Sequence, residues 1–124
     1  MREYNPHKSP DAEEWNELDE AERMLLVEQY HKRKRIRLPN RRLHAIIHVA
    51  VENQVSMGDE LNVKETLDRL MSEGLNRHDA LHAIGSVLGE HLHAVMGGET
   101  NDLTHSQYFE GLRDLTAAKW QEMG

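Results

Sequence analysis

The sequence contains no cysteine, only three prolines, and few aromatic residues, namely two Trp, three Tyr and one Phe. The absence of cysteine excludes disulfides, thiolate catalysis and cysteine-ligated zinc or iron–sulfur sites. Because 38% of the residues are hydrophobic and so few are aromatic, the core must consist mainly of Leu, Ile, Val, Ala and Met, which favours helices over sheets. Any metal ion must be held by imidazole, carboxylate or water.

Long apolar runs are also missing, since no segment approaches the ~20 apolar residues of a membrane span. The N-terminus is polar, so we expect a cytoplasmic protein with no membrane partner. A length of 124 residues predicts one helical domain over residues 1–124. Within it we expect a mobile start at 1–8, a basic connector at 31–42 and a histidine-rich core at 43–96.

Capping signals divide the chain into about five helices. In chain order, the first runs from Ser9-Pro10 or Asp19 to about Arg35, the second from Asn40 to Val55, the third from Asn62 to Gly74, the fourth from Asn76 to Gly97-Gly98, and the last begins at Thr104. No segment shows the alternation of a half-buried strand over more than a few residues. The sequence therefore predicts an all-α fold, a compact helical bundle.

What is abundant is histidine, with nine residues. Two pairs have i,i+4 spacing inside predicted helices, and this spacing brings two Cβ atoms within ~5–6 Å, close enough to share one ion at ~2.0–2.1 Å per bond. Glu52 extends the first pair by another four residues. The predicted metal ligands are His44, His48, His78, His82 and Glu52. Mixed imidazole and carboxylate ligation suits a divalent transition metal, with Zn, Fe, Ni and Mn left open.

The surroundings of the two pairs support this prediction. In residues 43–51 every side chain except the two imidazoles is apolar, so this helix should be central and its histidines must be hydrogen-bonded or ligated. In the fourth helix, the face that carries His78 and His82 also carries Gly85 and Gly89. Glycine inside a helix costs about 1 kcal/mol relative to alanine, and close approach of another helix is a common reason to tolerate it. We expect this stripe to pack on the central helix and to bring the two pairs together.

Other candidates are weaker. His31 is either a fifth imidazole of the site or a capping or core residue. Glu90 ranks below Glu52 as a carboxylate ligand, because it lies about 80° around the helix from His82. We expect His91 on the apolar side of its helix and His7 in a mobile terminus.

Charge is distributed unevenly along the chain. The net charge is −7, yet one short segment holds seven basic residues and no acidic one: Lys32, Arg33, Lys34, Arg35, Arg37, Arg41 and Arg42. This segment could bind nucleic acid or an acidic partner. It also fits a helix C-terminus favoured by the helix dipole and attracted to its acidic flanks. The missing aromatics and the acidic protein favour the second interpretation.

Three functions follow from these patterns. The leading one is a metal-binding helical protein, which extends to a metal-dependent enzyme of unknown substrate if the ion keeps a position for water or substrate. The alternative is a non-enzymatic interaction module that binds through residues 32–42 and has structural histidines. The third is a helical core that forms oligomers and binds no ion. Each of the three functions is compatible with a homo-oligomer.

Three strings also carry a family resemblance. They are His44-x-x-x-His48, Val51-Glu52-Asn53-Gln54 and Gly74-Leu75-Asn76-Arg77-His78-x-x-x-His82-Ala83-Ile84-Gly85-Ser86-Val87-Leu88. Together they resemble DUF1841, a bacterial family of unknown function whose members share the form H-x3-H, NQ, G-x-x-RH-x3-H-x-x-GS. The resemblance covers about residues 43–90. It implies a small bacterial cytoplasmic protein and brings no known reaction.

Overall fold

The computed structural model describes residues 1, 3–33, 41–58, 62–98 and 106–123, with the side chains of 41–43 and 123 left aside. These residues form seven α-helices and no strand, so the predicted all-α class is confirmed. The helices are α1 (Ala12–Glu17), α2 (Glu20–Arg33), α3 (Arg41–Ser56), α4 (Val63–Ser72), α5 (Arg77–Met96), α6 (Ser106–Asp114) and α7 (Ala117–Met123).

The described chain therefore has more helices than the five predicted, because its first and last segments are each divided. At Leu18 the backbone is extended and ends α1. Asp19 then accepts a hydrogen bond from the Glu22 amide at 2.8 Å and starts α2. Near the C-terminus, the Thr116 hydroxyl accepts from the Lys119 amide at 3.1 Å and starts α7 in the same way.

Local signals placed the boundaries of α4 and α5 correctly. Gly74 has φ +112° after the end of α4, a left-handed conformation that glycine adopts without steric cost. The Asn76 side chain then accepts a hydrogen bond from the Asp79 amide at 2.8 Å, which caps α5 as predicted. This tight connection sets where the first turn of α5 lies.

Helix α3 is central, as its apolar sequence predicted, since it packs against α1, α2, α4 and α5. Ala45 and Val49 belong to a core with side chains of α1 and α2, whereas Val51 and Val55 belong to a second core with α4, α5 and α6. Ile46 departs from the all-round burial of this segment and is 45% exposed. One stretch of α3 thus lies between two cores, and the polar side chains His48 and Glu52 are buried there.

Helix α5 is the longest described helix, with 20 residues. Charged and histidine side chains interrupt its apolar positions. Neither α5 nor any other helix in the described ranges is both long and apolar enough to cross a membrane.

Candidate metal centre

Four imidazole rings from three helices converge between α2, α3 and α5. His31 comes from the last turn of α2, His48 from the middle of α3, and His78 and His82 from the first two turns of α5. Each ring offers one nitrogen to the cluster, and these four nitrogens all lie within 4.8 Å of one another. The first three residues are buried and His82 is half-buried. This cluster could hold a metal ion, and we call it the four-histidine cluster.

The close approach of α3 and α5 forms the cluster, and glycine allows it. A Cβ atom added at Gly85 would lie 3.0 Å from Cγ2 of Ile47, and one added at Gly89 would lie 3.5 Å from Cδ1 of the same residue. The predicted packing of the glycine stripe on the central helix is therefore confirmed. As a result, the ring centroids of His48 and His78 are 5.5 Å apart.

His44 lies at the edge of the four-histidine cluster. Its ring centroid is 4.8 Å from that of His82 and 4.6 Å from that of His31. Its Nε2 lies 3.1 Å from Nε2 of His31. The structure thus brings His44 next to the other predicted ligands but outside the set of four whose nitrogens converge.

Tyr4 fixes the tautomer of His48. The Tyr4 hydroxyl donates a short hydrogen bond to Oε2 of Glu52, and its oxygen lies 2.7 Å from Nε2 of His48. Since a phenol has one proton and gives it to the carboxylate, we assign the proton of the second bond to His48 Nε2. Nδ1 of His48 then carries a lone pair.

Glu52 accepts hydrogen bonds from two groups and stands behind His48. The Arg77 guanidinium donates to its two oxygens at 2.7 and 2.8 Å, and the Tyr4 hydroxyl donates to Oε2. The exposed fraction is 1% for Glu52 and 4% for Arg77, so the ion pair is fully buried. The structure therefore places this predicted ligand outside the four converging nitrogens, in contact with a group that orients one of them.

His31 is oriented by the backbone of its own helix. Its Nδ1 lies 2.8 Å from the carbonyl oxygen of Val27. Because a carbonyl only accepts, Nδ1 carries the proton and Nε2 presents a lone pair to the neighbouring imidazoles. Histidines that bind metals in proteins almost always donate their other N–H to a carbonyl, a carboxylate or water. His31 and His48, the latter through Tyr4, both follow this pattern.

Burial keeps these rings neutral. Burial, and then the nearby His82, lower the pKa of His78 to about 3. Burial together with neighbouring imidazoles lowers the pKa of His44 and of His82 to about 4. Burial also lowers the pKa of His31, and it lowers the pKa of His48 well below the ordinary value. At neutral pH all five rings therefore have an unprotonated nitrogen, which is the form that binds a metal.

Three buried nitrogens of the cluster have no hydrogen-bond partner within the described chain. They are Nδ1 of His48, Nε2 of His78 and Nε2 of His82. A buried polar atom without a partner costs about 1–3 kcal/mol, and such atoms in native proteins call for a bound water or ion. Here three of them meet in one place, which favours a shared ligand.

A cavity of about 310 Å³ adjoins the cluster. His44, His48 and His82 line part of it, and the rest is lined by Ser86, by Gly85 and by apolar side chains of α3, α5 and α7. His44, His48 and His82 thus border this cavity, whereas the rings of Tyr4 and Tyr30 pack against His48 and His78.

The weaker candidates lie elsewhere. Glu90 is exposed. His91 is buried, and its ring lies 6.1 Å from that of Tyr108 in the second core. His7 is exposed and packs edge-on against His78 at a centroid distance of 5.5 Å.

Most of the predicted basic segment lies outside the described residues. Of its seven cationic side chains the structure describes two, Lys32 and Arg33. Arg33 donates to the carbonyl oxygen of Tyr4 at 3.5 Å and lies over the ring of Tyr30. Binding of nucleic acid or an acidic partner through this segment stays a prediction.

Sequence reasoning missed two residues behind the cluster. Tyr4 belongs to the segment expected to be mobile, yet it is 1% exposed and packed in the first core. Arg77 directly precedes His78 in the Arg-His string, and that adjacency was the one available signal for it. His31, named as a fifth imidazole or a core residue, is one of the four converging side chains.

Comparison with known proteins identifies the family. The chain belongs to the family described as a domain of unknown function (DUF1841), whose model matches residues 11–114. The resemblance seen in the histidine and glycine strings is thereby confirmed. No curated protein and no solved structure matches the chain.

Proposed function

We propose that this member of the DUF1841 family binds one divalent transition-metal ion through His31, His48, His78 and His82. Two observations carry the proposal: one nitrogen from each of the four imidazoles lies within 4.8 Å of those from the other three, and three of these rings have a buried nitrogen without a hydrogen-bond partner in the described chain. In a tetrahedral site, two ligands at ~2.0–2.1 Å from one ion lie about 3.3 Å apart. The separations between the four nitrogens, which reach 4.8 Å, would therefore have to shorten by up to about 1.5 Å on metal binding.

Of the four divalent ions predicted from the sequence, an all-imidazole ligand set favours zinc, iron and nickel, whereas manganese prefers oxygen ligands. A thiolate ligand is excluded because the chain lacks cysteine. Tyr4 and the Val27 carbonyl hold two of the rings in the tautomer that ligation needs. A bound ion would supply Lewis-acid chemistry if it kept a further position for water or substrate beside the four imidazoles, and in that case the protein would act as a metal-dependent enzyme.

Elemental analysis of protein purified without chelator tests this proposal. We expect close to one ion per chain in the native protein, and an X-ray absorption edge identifies the element. His48→Ala and His78→Ala should lose most of the ion. His93→Ala is the matched control, since His93 lies on α5 but is exposed and should leave the metal content unchanged.

The proposal is wrong if native protein contains no metal and takes up none of the four ions on dialysis while circular dichroism shows it folded. It is also wrong if the His93 and His78 variants lose metal equally. Far-UV circular dichroism of each variant separates loss of a ligand from loss of the fold.

A further inference from the structure

We propose that the cavity beside the four-histidine cluster binds a small carboxylate with an apolar body, whose anionic end meets the metal ion. This inference rests on the proposed function. It adds a ligand class and a binding site, and it is carried by the charge of the site and by the walls of the cavity.

The charge of the site calls for an anion. The imidazoles are neutral ligands, so they leave the two positive charges of the ion uncompensated. Among the described residues Glu52 is the only acidic residue that is buried, and its charge is already balanced by Arg77 at 2.7 Å. A buried charge without a counter-charge is costly, so the ion favours an anionic ligand from outside the protein.

The cavity supplies both the route and the apolar contacts. It is bounded by His48 and His82 of the cluster, and it also contacts Ile47, Leu81 and Trp120. Its volume of about 310 Å³ lies at the lower end of the ~300–1,000 Å³ range of small-molecule sites. A ligand that reaches the ion through this space must therefore be small and, apart from its polar end, apolar.

His44 supplies a hydrogen-bond donor for the anionic end. Its Nε2 lies 3.1 Å from Nε2 of His31, whose proton is on Nδ1, so His44 donates to His31. An ion bound to Nε2 of His31 occupies the lone pair that otherwise accepts the hydrogen bond from His44. Since His44 also lines the cavity, its N–H then becomes available to a carboxylate oxygen there.

A titration of cobalt-loaded protein with linear carboxylates from acetate to hexanoate tests the inference. Visible absorption of cobalt reports binding at the ion, and cobalt stoichiometry is measured first. Affinity should rise about fourfold with each methylene while the chain still fits the cavity. Butan-1-ol, which lacks the charge, should bind at least tenfold more weakly than butyrate.

Two variants test the location of the site. Ser86 lines the cavity, and within the described part of the chain its hydroxyl bonds only the Ala83 carbonyl, one turn back. Ser86→Leu should weaken hexanoate at least tenfold and leave cobalt binding intact. Ser72→Leu is its matched control at an exposed position of α4, since the Ser72 hydroxyl makes the same kind of bond to the Arg69 carbonyl, and it should leave both cobalt and carboxylate binding unchanged.

A third variant tests the donor. His44→Ala should weaken every carboxylate by a similar factor of about tenfold while cobalt stoichiometry stays at one. A loss of cobalt in this variant would show that His44 is a ligand and would overturn its assignment as the donor.

The outcomes separate the two proposals. If the protein binds no cobalt, the proposed metal site fails. If it binds cobalt but carboxylate affinity does not depend on chain length, the cavity is not the binding site. Should Ser86→Leu fail to fold, Trp120→Ala gives the second test, because a larger cavity must move the best ligand to a longer chain. If the chain length of the best-binding carboxylate is the same in Trp120→Ala as in the native protein, the inference is wrong.

Discussion

The phenol oxygen of Tyr4 lies 2.7 Å from Nε2 of His48, which is 44 residues further along the chain. The same hydroxyl donates to Glu52, and Glu52 is held by Arg77. A continuous buried chain of hydrogen bonds thus runs from a guanidinium to an imidazole. Its effect is to turn Nδ1 of His48 toward the other histidines with its lone pair free.

Replacing Tyr4 by Phe should weaken metal binding about 10–100-fold, which is the usual cost of losing a group that orients a metal-bound histidine. The ring contacts of Tyr4 stay, so the fold should persist, although Glu52 loses a donor at a cost of about 1–3 kcal/mol. Competition with a chelator of known affinity measures the change. Tyr30→Phe is the control, because its ring packs edge-on against His31 and His78 and Phe keeps that packing. Equal losses in both variants would remove the role assigned to the Tyr4 hydroxyl.

The meeting of α3 and α5 was predictable because it depends on local patterns. The i,i+4 histidine pairs each mark one face of a helix, and glycine on the face of His78 and His82 indicates close packing. These signals depend only on the 3.6-residue period and on side-chain size. The N-caps Asp19 and Asn76 were predictable for the same reason, since each bonds an amide three residues away, whereas the predicted cap Asn62 makes no such side-chain bond.

The groups behind the imidazoles were not predictable, because they depend on long-range contacts. Glu52 has the same i+4 spacing from His48 that the two histidines of a pair have, so spacing alone predicts a ligand. Glu52 instead forms an ion pair with Arg77, which is 25 residues away on another helix. No second histidine lies three or four residues from His31 in the sequence, and only the packing of α2 on α3 brings it into the cluster.

Breaking the buried ion pair should destabilise the protein strongly. Arg77→Met leaves the Glu52 carboxylate buried and uncompensated, and we expect a loss of about 3–5 kcal/mol in the free energy of unfolding. Urea unfolding of chelator-treated protein measures it. Lys64→Met is the matched control, since Lys64 and Asp68 are 51% and 60% exposed in their side chains and such pairs contribute about 0–1 kcal/mol. Adding Glu52→Gln to Arg77→Met should recover part of the loss; if it recovers none, the buried charge is not the cause.

Alanine at the two glycines that face Ile47 should have different effects. Alanine is favoured over glycine in a helix by about 1 kcal/mol. At Gly89 a Cβ would meet Ile47 at 3.5 Å, an ordinary contact, so Gly89→Ala should stabilise by about 0.5–1 kcal/mol. At Gly85 the distance is 3.0 Å, so Gly85→Ala should be at least 1 kcal/mol less stable than Gly89→Ala. Chemical denaturation compares the two variants, and equal stabilities would show that α3 and α5 are not tightly packed here.

Acidification should destabilise the chelator-treated protein at pH values well above the range in which carboxylates titrate. The folded protein holds the pKa of His78 at about 3 and that of His82 at about 4, whereas the unfolded chain has histidine pKa values near ~6.5. Above pH ~6.5 both states are unprotonated and stability is level. Below it the unfolded chain binds protons that the folded protein does not, so stability falls as pH decreases toward about 4 for His82 and about 3 for His78.

The slope should reach up to about 1.4 kcal/mol per pH unit for each buried histidine. Urea midpoints at pH 7, 6 and 5 measure this decline. His78→Gln should make it shallower, because one group that must stay neutral is gone. The exposed His93 provides the control, and His93→Gln should leave the slope as it is. A stability that stays level from pH 7 to 5 would show that the imidazoles of the cluster accept protons in the folded protein, and would contradict their burial as neutral groups.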